Sequence, residues 1–488
     1  MREKIQGVCQ MIFRTPIGIT LAAAMLISQS VNAQSNPTAE LLGEVIRIDT
    51  SNPPGNEGAL ASLLETKFAP LGFEVSIIET PQAGKAHFIA RLRGDGSKKP
   101  ILLAAHADVV GVEPEKWTQD PFGGDIVDGY VYGRGAIDFK GGLAVFAEAV
   151  MRLAREKIPL SRDVIFVAEA DEEGGAYSTR WLADNHWPLI DAEFALNEGG
   201  WIIKNQKDPE KVRYVSISTA DKFSLTVQLT SAGKSTHSSM PRPDNAIFSL
   251  ARALAKLSNY ETGVQLIPST RQFFETLAQT ADEPMKTHFM DLLAQDDAAR
   301  LNQADRAISE DPLLHAFAHN TISPVILDGG FRSNVIPGSA SAIVNFRLIP
   351  GTDVGAFMDE IRSVIEDPAI DMQISSRGDA SQEELLANLN ERSQEMPSSE
   401  DTELYQALAR SAKQQYSEAL VTSYLFQAGT DAGAWRSRGV PVYGIYPYPI
   451  DQEDLSRMHG NDERVSVRSL EQGTDMIYRT LVAVAGAK

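Results

Sequence analysis

The apolar positions of this chain fall into two textures. Up to about residue 200, short apolar runs recur, and each closes on acids, imidazoles or glycines. Ile101-Leu102-Leu103-Ala104-Ala105 ends on His106-Ala107-Asp108, and the run 164–168 ends on Glu169-Ala170-Asp171-Glu172-Glu173-Gly174-Gly175. The run 193–196 ends on Asn197-Glu198-Gly199-Gly200. Runs this short, bounded by polar residues and turn formers, predict buried strands. Further strands are predicted at 73–79 and 87–92, with helices over 38–48, up to about 70, and over 143–153. Strands alternating with helices predict an α/β fold, a mostly parallel sheet flanked by helices, with its site at the strand carboxyl ends.

From about 211 the texture changes. Residues 214–219 and 224–229 alternate apolar with polar, as strands of an antiparallel sheet with one wet face do. A helix over 244–257, strands at 325–327 and 341–347, a helix over 354–365 and a strand at 372–375 complete a smaller α+β unit. A helix-rich insert, about 260–320, interrupts it. After a polar linker at 394–400 the α/β texture returns, with a helix over 402–415 and a strand at 440–445. The last helix carries Leu470, Thr474, Ile477, Leu481 and Val484 on one face. The expected organisation is an α/β domain in two parts, 34–214 and 396–488, with a smaller α+β domain, 215–395, inserted between them.

Composition narrows the class. The chain has 488 residues, 43% hydrophobic and 23% charged, an ordinary globular balance with room for two or three domains. In the first 33 residues, Arg2, Lys4 and Arg14 precede an apolar run over 17–27, which closes on Val31-Asn32-Ala33. That pattern predicts a cleavable signal peptide and a periplasmic or secreted protein without a stable membrane anchor, because the run is too short to span. Cys9, the only cysteine, lies in that segment, so the mature chain owes nothing to disulfides. The same segment holds three basic residues and one acid; removing it takes the net charge from −20 to −22. Such an acidic surface excludes non-specific binding to nucleic acid or anionic membrane and leaves a small-molecule substrate as the expected partner.

The residues with chemistry at strand ends are His106, Asp108, Asp138, Glu172, Glu173, Glu198 and His459. Two imidazoles with several carboxylates suit zinc, with cobalt or manganese as substitutes. An acid such as Asp138 can bridge two ions, and a pair of ions can polarise a carbonyl and activate water. A further acid must take the proton, and adjacent Glu172 and Glu173 face different ways, so one can ligate while the other serves as base. Two competing patterns fail. Gly133-Arg134-Gly135-Ala136-Ile137-Asp138 has an acid where a dinucleotide loop needs its third glycine. His315 and His319 lack the intervening glutamate of a zincin helix and read as packing residues. The tyrosines and prolines of 443–449 read as core and turn.

Nine motifs stand in one order: HADVVGV (106–112), WTQDPFGGDIVDGYVYGRGAIDFKGG (117–142), DEEGG (171–175), NEGG (197–200), THSSMP (236–241), SNVIPG (333–338), NFRLIPG (345–351), GTDAG (429–433) and MHGNDERV (458–465). In them the chain resembles the co-catalytic zinc aminoacylase and carboxypeptidase family, which includes aminoacylase-1, glutamate carboxypeptidase and succinyl-diaminopimelate desuccinylase. Within it, the chain is similar to the branch of vacuolar carboxypeptidase S and the secreted N-fatty-acyl-amino-acid hydrolases. The resemblance covers nearly all of the mature chain and implies a zinc-exopeptidase-like catalytic domain holding two Zn2+. It implies that His106 and Glu198 hold one ion, Glu173 and His459 the other, and that Asp138 bridges them. Asp108 would orient His106, Glu172 would act as general base for a metal-held hydroxide, and His237 would hydrogen-bond the oxyanion. Asn334, Arg347 and the backbone around Gly429 and Thr430 would hold the substrate's free carboxylate. In many dimeric relatives the histidine reaches the partner's site, so the resemblance implies a homodimer with His237 acting in trans, or, where the 260–320 insert changes how the domain docks, a monomer or a His237 acting within its own chain. Phe139 and Glu198 depart from residues common in relatives without breaking the ligand set.

The expected activity is zinc-dependent hydrolysis of an amide bond next to an amino acid with a free carboxylate. Carboxypeptidase or dipeptidase and N-acyl-amino-acid amidohydrolase are the two chemistries. The alternative from a different class is a non-catalytic zinc-binding protein on the same scaffold.

Overall fold

In a computed structural model the chain is described over residues 36–375 and 380–487. The expected signal peptide at 1–33 lies outside the described residues. Strands of five residues or more are β1 (Glu74–Glu79), β2 (Ala86–Leu92), β3 (Ile101–His106), β4 (Val164–Glu169), β5 (Phe194–Asn205), β6 (Asp208–Asp221), β7 (Phe223–Ala232), β8 (Thr321–Asp328), β9 (Ser339–Leu348), β10 (Ile370–Ile374), β11 (Leu420–Phe426) and β12 (Val442–Ile450). They form a large sheet in the order β1-β2-β4-β3-β5-β12-β6-β11 and a smaller one in the order β8-β9-β7-β10. In the large sheet β4, β3, β5 and β12 run parallel, as do β6 and β11; the remaining pairings are antiparallel. The smaller sheet is antiparallel throughout.

Every residue of β3 is buried, and the two-residue period of a strand sends its side chains into two cores. Ile101, Leu103 and Ala105 join the core that includes the helix Lys140–Arg155. Leu102 and Ala104 face the other core, with Leu182, Ala183 and Trp435. This double cover is why β3 and β4 read as continuous apolar runs. The smaller sheet alternates instead: Phe223, Leu225, Val227 and Leu229 of β7 pack under the helices Ala246–Ser258 and Val354–Ile365, in a core of their own.

Three features depart from the sequence-based expectation. The strand expected at 214–219 in the smaller sheet is β6, which belongs to the large sheet and pairs with β5, β11 and β12. Its residues Tyr214–Ala220 are all buried, so the alternation of residue types does not mark a wet face. A helix, Gln382–Ser393, precedes the linker, held by a capping box between Ser381 and Glu384. The insert is helical as expected, in Pro268–Thr280, Met285–Ala294, Ala298–Ile308 and Pro312–Ala318, but it packs on the large sheet. Phe273 stacks on Phe317 at 4.4 Å, and both rings pack edge-on against Tyr424 of β11. No helix of the described residues is long and apolar enough to cross a membrane.

Candidate metal centre

The parallel strands end together, and their carboxyl ends carry the chemistry, as open α/β sheets require. His106 is the last residue of β3, and Glu172 and Glu173 follow β4. Glu198 lies within β5, where the register with β12 slips: Gly444 pairs with Asn197 and Ile445 with Gly200. The slip leaves Glu198 and Gly199 without partners on β12, a bulge of the kind that re-aims a side chain. A Cβ on Gly444 would stand 2.0 Å from the Glu198 carbonyl oxygen, so only glycine permits the approach. Asp138 precedes the helix Lys140–Arg155. Phe139 is buried against Tyr446, with ring centroids 5.0 Å apart, and its ring covers Gly142, whose Cβ would meet it at 2.1 Å.

His106, Asp138 and Glu198 form one group of ligand atoms within 4.8 Å of one another; Asp138, Glu173 and His459 form a second. Asp138 divides its oxygens between them. Oδ1 lies 3.2 Å from His106 Nε2, and Oδ2 lies 3.0 Å from His459 Nε2. Glu198 Oε2 is 3.5 Å from His106 Nε2, and Glu173 Oε1 is 3.1 Å from His459 Nε2. Ligands around a tetrahedral zinc with bonds near 2.0–2.1 Å stand about 3.3 Å apart, so these spacings and donor types fit two such ions sharing Asp138.

The electrostatics ask for positive charge at the same place. Burial opposes charge on the His106 ring, but hydrogen bonds with Asp138 and Glu198 hold its pKa well above the ordinary imidazole value. Hydrogen bonds with Asp138 and Glu173 push His459 up to about 10. Burial pushes Glu198 up to about 7 against the pull of His106. Burial, and then repulsion from Glu198, holds Glu172 well above the carboxylate range. Acids crowded in a dry site keep protons unless cations replace them.

The supporting contacts differ in detail from expectation. The His106 ring hydrogen-bonds through Nδ1 to the backbone carbonyl of Asp108 at 3.0 Å; the Asp108 carboxylate stays 3.8 Å away. That carboxylate accepts instead from the backbone N–H groups of Glu172 and Glu173, at 3.1 and 3.0 Å, and from Asn52 at 2.7 Å. Asp108 therefore orients His106 through its main chain and positions the Glu172-Glu173 turn through its side chain. Asn52 also donates to Asp171, which is ion-paired with buried Lys85.

Other residues of the site were not singled out in the sequence. Tyr446, on β12, is buried as expected of core, but its hydroxyl donates to Asp138 Oδ1 at 2.9 Å and Glu198 Oε2 at 3.1 Å. Glu463 accepts from the backbone N–H of Ile137 at 2.7 Å and of Asp138 at 3.0 Å, and pairs with buried Arg134 at 2.6 Å. It holds the glycine-rich loop that delivers Asp138. Its position in the acid-rich run after His459 was the available signal.

The two candidate ligand groups open on a cavity of about 420 Å³, also lined by Glu172, Arg347, Gly429 and Thr430. His237 and Asn334 do not line it. They stand beside each other: His237 pairs with Val335 across a two-residue ladder, and Asn334 O accepts from Ser238 N at 3.0 Å. Both are exposed. His315 and His319 lie in the insert, where buried His319 bonds Thr262 and Asp305.

Against this geometry the comparisons with known proteins are direct. The profile of peptidase family M20/M25/M40 matches residues 102–483. The chain is 29% identical to probable carboxypeptidase S-like 2 of Dictyostelium discoideum, over 79% of this chain and 72% of that protein. It is 27% identical to N-fatty-acyl-amino acid synthase/hydrolase PM20D1 of Homo sapiens, over 94% and 90%. In fold it matches the M20 family metallo-carboxypeptidase Sso-CP2 from Sulfolobus solfataricus, with a TM-score of 0.65 at 18% identity, covering 92% of this chain and 99% of that one. With most of its length matched by the family profile and donor groups fit for metal at its strand ends, the chain is a metallohydrolase and belongs to peptidase family M20/M25/M40.

Proposed function

We propose that the chain hydrolyses an amide bond next to an amino acid with a free carboxylate, as a carboxypeptidase or dipeptidase or as an N-acyl-amino-acid amidohydrolase, with two zinc ions per chain. The observation that carries this reading is the bridging posture of Asp138, one oxygen toward His106 and the other toward His459, at the floor of a cavity that also holds Arg347. Both chemistries are represented in the names of its relatives. His106 and Glu198 would hold one ion, Glu173 and His459 the other, and the bound pair would supply Lewis acidity toward carbonyl and water.

The chain's own residues do the rest. Glu172, with Glu173 and Glu198 neutralised, takes a proton from the attacking water and returns it to the leaving nitrogen. Arg347 forks onto the free carboxylate, aided by the backbone at Gly429 and Thr430. Tyr446 keeps Asp138 and Glu198 aimed with one hydroxyl.

His237 would donate to the oxyanion of a partner subunit's site. Its exposure and its absence from the cavity of its own chain support action in trans. So does the apolar edge near it. Val325, Ile326 and Leu327 on edge strand β8 are 59%, 60% and 69% exposed, and Phe331 is 79% exposed. A bare apolar edge of this kind invites pairing with another strand. A two-part catalytic unit with an inserted lid is supported by the separate core of the smaller sheet, but the expected bounds of 34–214, 215–395 and 396–488 shift, because β6 and the insert are seated on the catalytic side. The pattern at 1–33 supports export to the periplasm or medium. One screen tests the activity: the protein reconstituted with zinc or cobalt, offered dipeptides and N-acetyl and N-long-acyl amino acids. Turnover of the free acids but not of their carboxyl-amides is expected; turnover of neither class would overturn the reading.

A further inference from the structure

Arg347 is not the only guanidinium in the cavity. Arg392 lines it too. Arg392 comes from the last turn of the helix Gln382–Ser393, whose Leu385, Leu386 and Leu389 pack on the core of the smaller sheet. Its position against the site is close: a Cβ on Gly429 would stand 3.6 Å from Arg392 Nη2. Among the described residues neither guanidinium makes a hydrogen bond or an ion pair within 4 Å. Glu395, one turn further on, has Arg392 as its strongest charged neighbour, but its carboxylate turns toward Gly433 and makes no ion pair with it. Apart from burial, Arg392 is the strongest influence on Arg347, ahead of Glu172, and it disfavours the charge there. Two half-buried cations thus face one cavity and repel each other, a cost that an anion between them removes.

A single carboxylate does not need both. It offers two oxygens and about four lone-pair sites, and one guanidinium fork together with the backbone around Gly429 and Thr430 occupies them. Resting on the function proposed above, we infer that Arg392 forms a second anion subsite, for a side-chain carboxylate on the amino-acid half of the substrate. The preferred substrates then carry aspartate or glutamate next to the scissile amide. Arg347 takes the main-chain carboxylate, and Arg392 takes the acid one side chain away.

Glutamine matches glutamate in shape and lacks only its charge, so the pair isolates the subsite. The metal-loaded enzyme and its Arg392→Gln and Arg392→Lys variants are compared on N-acetyl-glutamate and N-acetyl-glutamine, and on alanyl-glutamate and alanyl-glutamine. Calorimetry of free glutamate and glutamine on metal-loaded Glu172→Gln supplies a readout without turnover. The wild type is expected to favour each acid over its amide by about 10- to 100-fold in kcat/KM, the range of a charged hydrogen bond. Arg392→Gln should erase that ratio through KM, Arg392→Lys should keep part of it, and glutamate should bind more tightly than glutamine. Equal kcat/KM for acid and amide in the wild type, or an acid-to-amide ratio unchanged in Arg392→Gln, would overturn the second subsite while leaving amide hydrolysis standing. Absence of turnover on every substrate would overturn the hydrolase reading itself.

Discussion

The carboxyl end of the large sheet and the free edge of the smaller sheet are built on opposite terms. At the first, His106, Asp138 and Glu198 are buried, their partners come from the same chain, and Glu463, Tyr446, Asn52 and Asp108 hold them in place. At the second, β8 shows three consecutive apolar residues to solvent, and on a separate two-residue ladder His237 is exposed with Ser239 as its side-chain partner. Polar groups buried and satisfied on rigid elements mark a site complete in one chain. Apolar side chains left on an edge strand mark one that a second surface completes. Glu172, the proposed base, and His237, the proposed oxyanion donor, should therefore respond differently to mixing of subunits.

The largest effect falls on the complete side. Glu172→Gln keeps the shape of the base and removes its proton acceptor, so it should retain both metals and lower kcat by about 10²–10⁴-fold. Metal analysis beside steady-state kinetics checks this; loss of metal would exchange the roles of Glu172 and Glu173. On the open side, His237→Ala should keep metal and fold, leave KM little changed and lower kcat by about 10²–10³-fold. Mixing Glu172→Gln with His237→Ala under subunit exchange should restore activity, because one hybrid site takes its base from one chain and its histidine from the other. No recovery despite proven exchange would place His237 in the service of its own chain.

Arg347→Ala should cost about 1.5–3 kcal/mol in binding substrates with a free carboxylate and spare their carboxyl-amides. Equal losses on both would make Arg347 a structural residue. The smallest effect concerns stability. Buried His87 uses both ring nitrogens, Nδ1 accepting from Ala170 N at 3.1 Å and Nε2 donating to Tyr177 O at 2.9 Å. Burial holds its pKa down at about 4, against the ordinary 6.5. The folded state thus binds fewer protons than the unfolded between pH 4 and 6.5, so stability rises with pH through that window and is lost as pH falls. Denaturant unfolding should show a loss of about 1–3 kcal/mol across it, flattened in His87→Gln. An identical slope in the variant would assign the acid sensitivity elsewhere. Ala170 sits just before Glu172 and Glu173, so protonation of His87 should loosen that turn.

What could be read from the chain divides along the same line. His106, Asp138, Glu173, Glu198 and His459 were legible because each follows an apolar run or stands in a glycine-rich motif, where side chains are delivered rather than packed. The structure brings all of them together. Tyr446 was not legible, since a tyrosine in an apolar run looks like core, and its hydroxyl partner lies 308 residues away in sequence. Glu463 and Asn52 act on backbone and side chains brought near only by folding. Alternation predicted that β6 is a strand but not which sheet it joins, because period 2 reports a strand's faces and not its neighbours. The apolar faces of the insert likewise foretold burial without showing that β11 would supply the other half of the core. The capping box at Ser381 and Glu384 was a readable signal for the helix that carries Arg392.

The most direct measurement is the metal content of the fully folded protein, titrated from a chelated state with zinc while hydrolysis is followed on the same sample. Two ions per chain, activity lost to the chelator and restored by zinc or cobalt, and weaker binding of both ions in Asp138→Ala would agree with a shared aspartate between two sites. A fully active protein holding no metal, or an Asp138→Ala protein that still binds two ions as tightly, would contradict it.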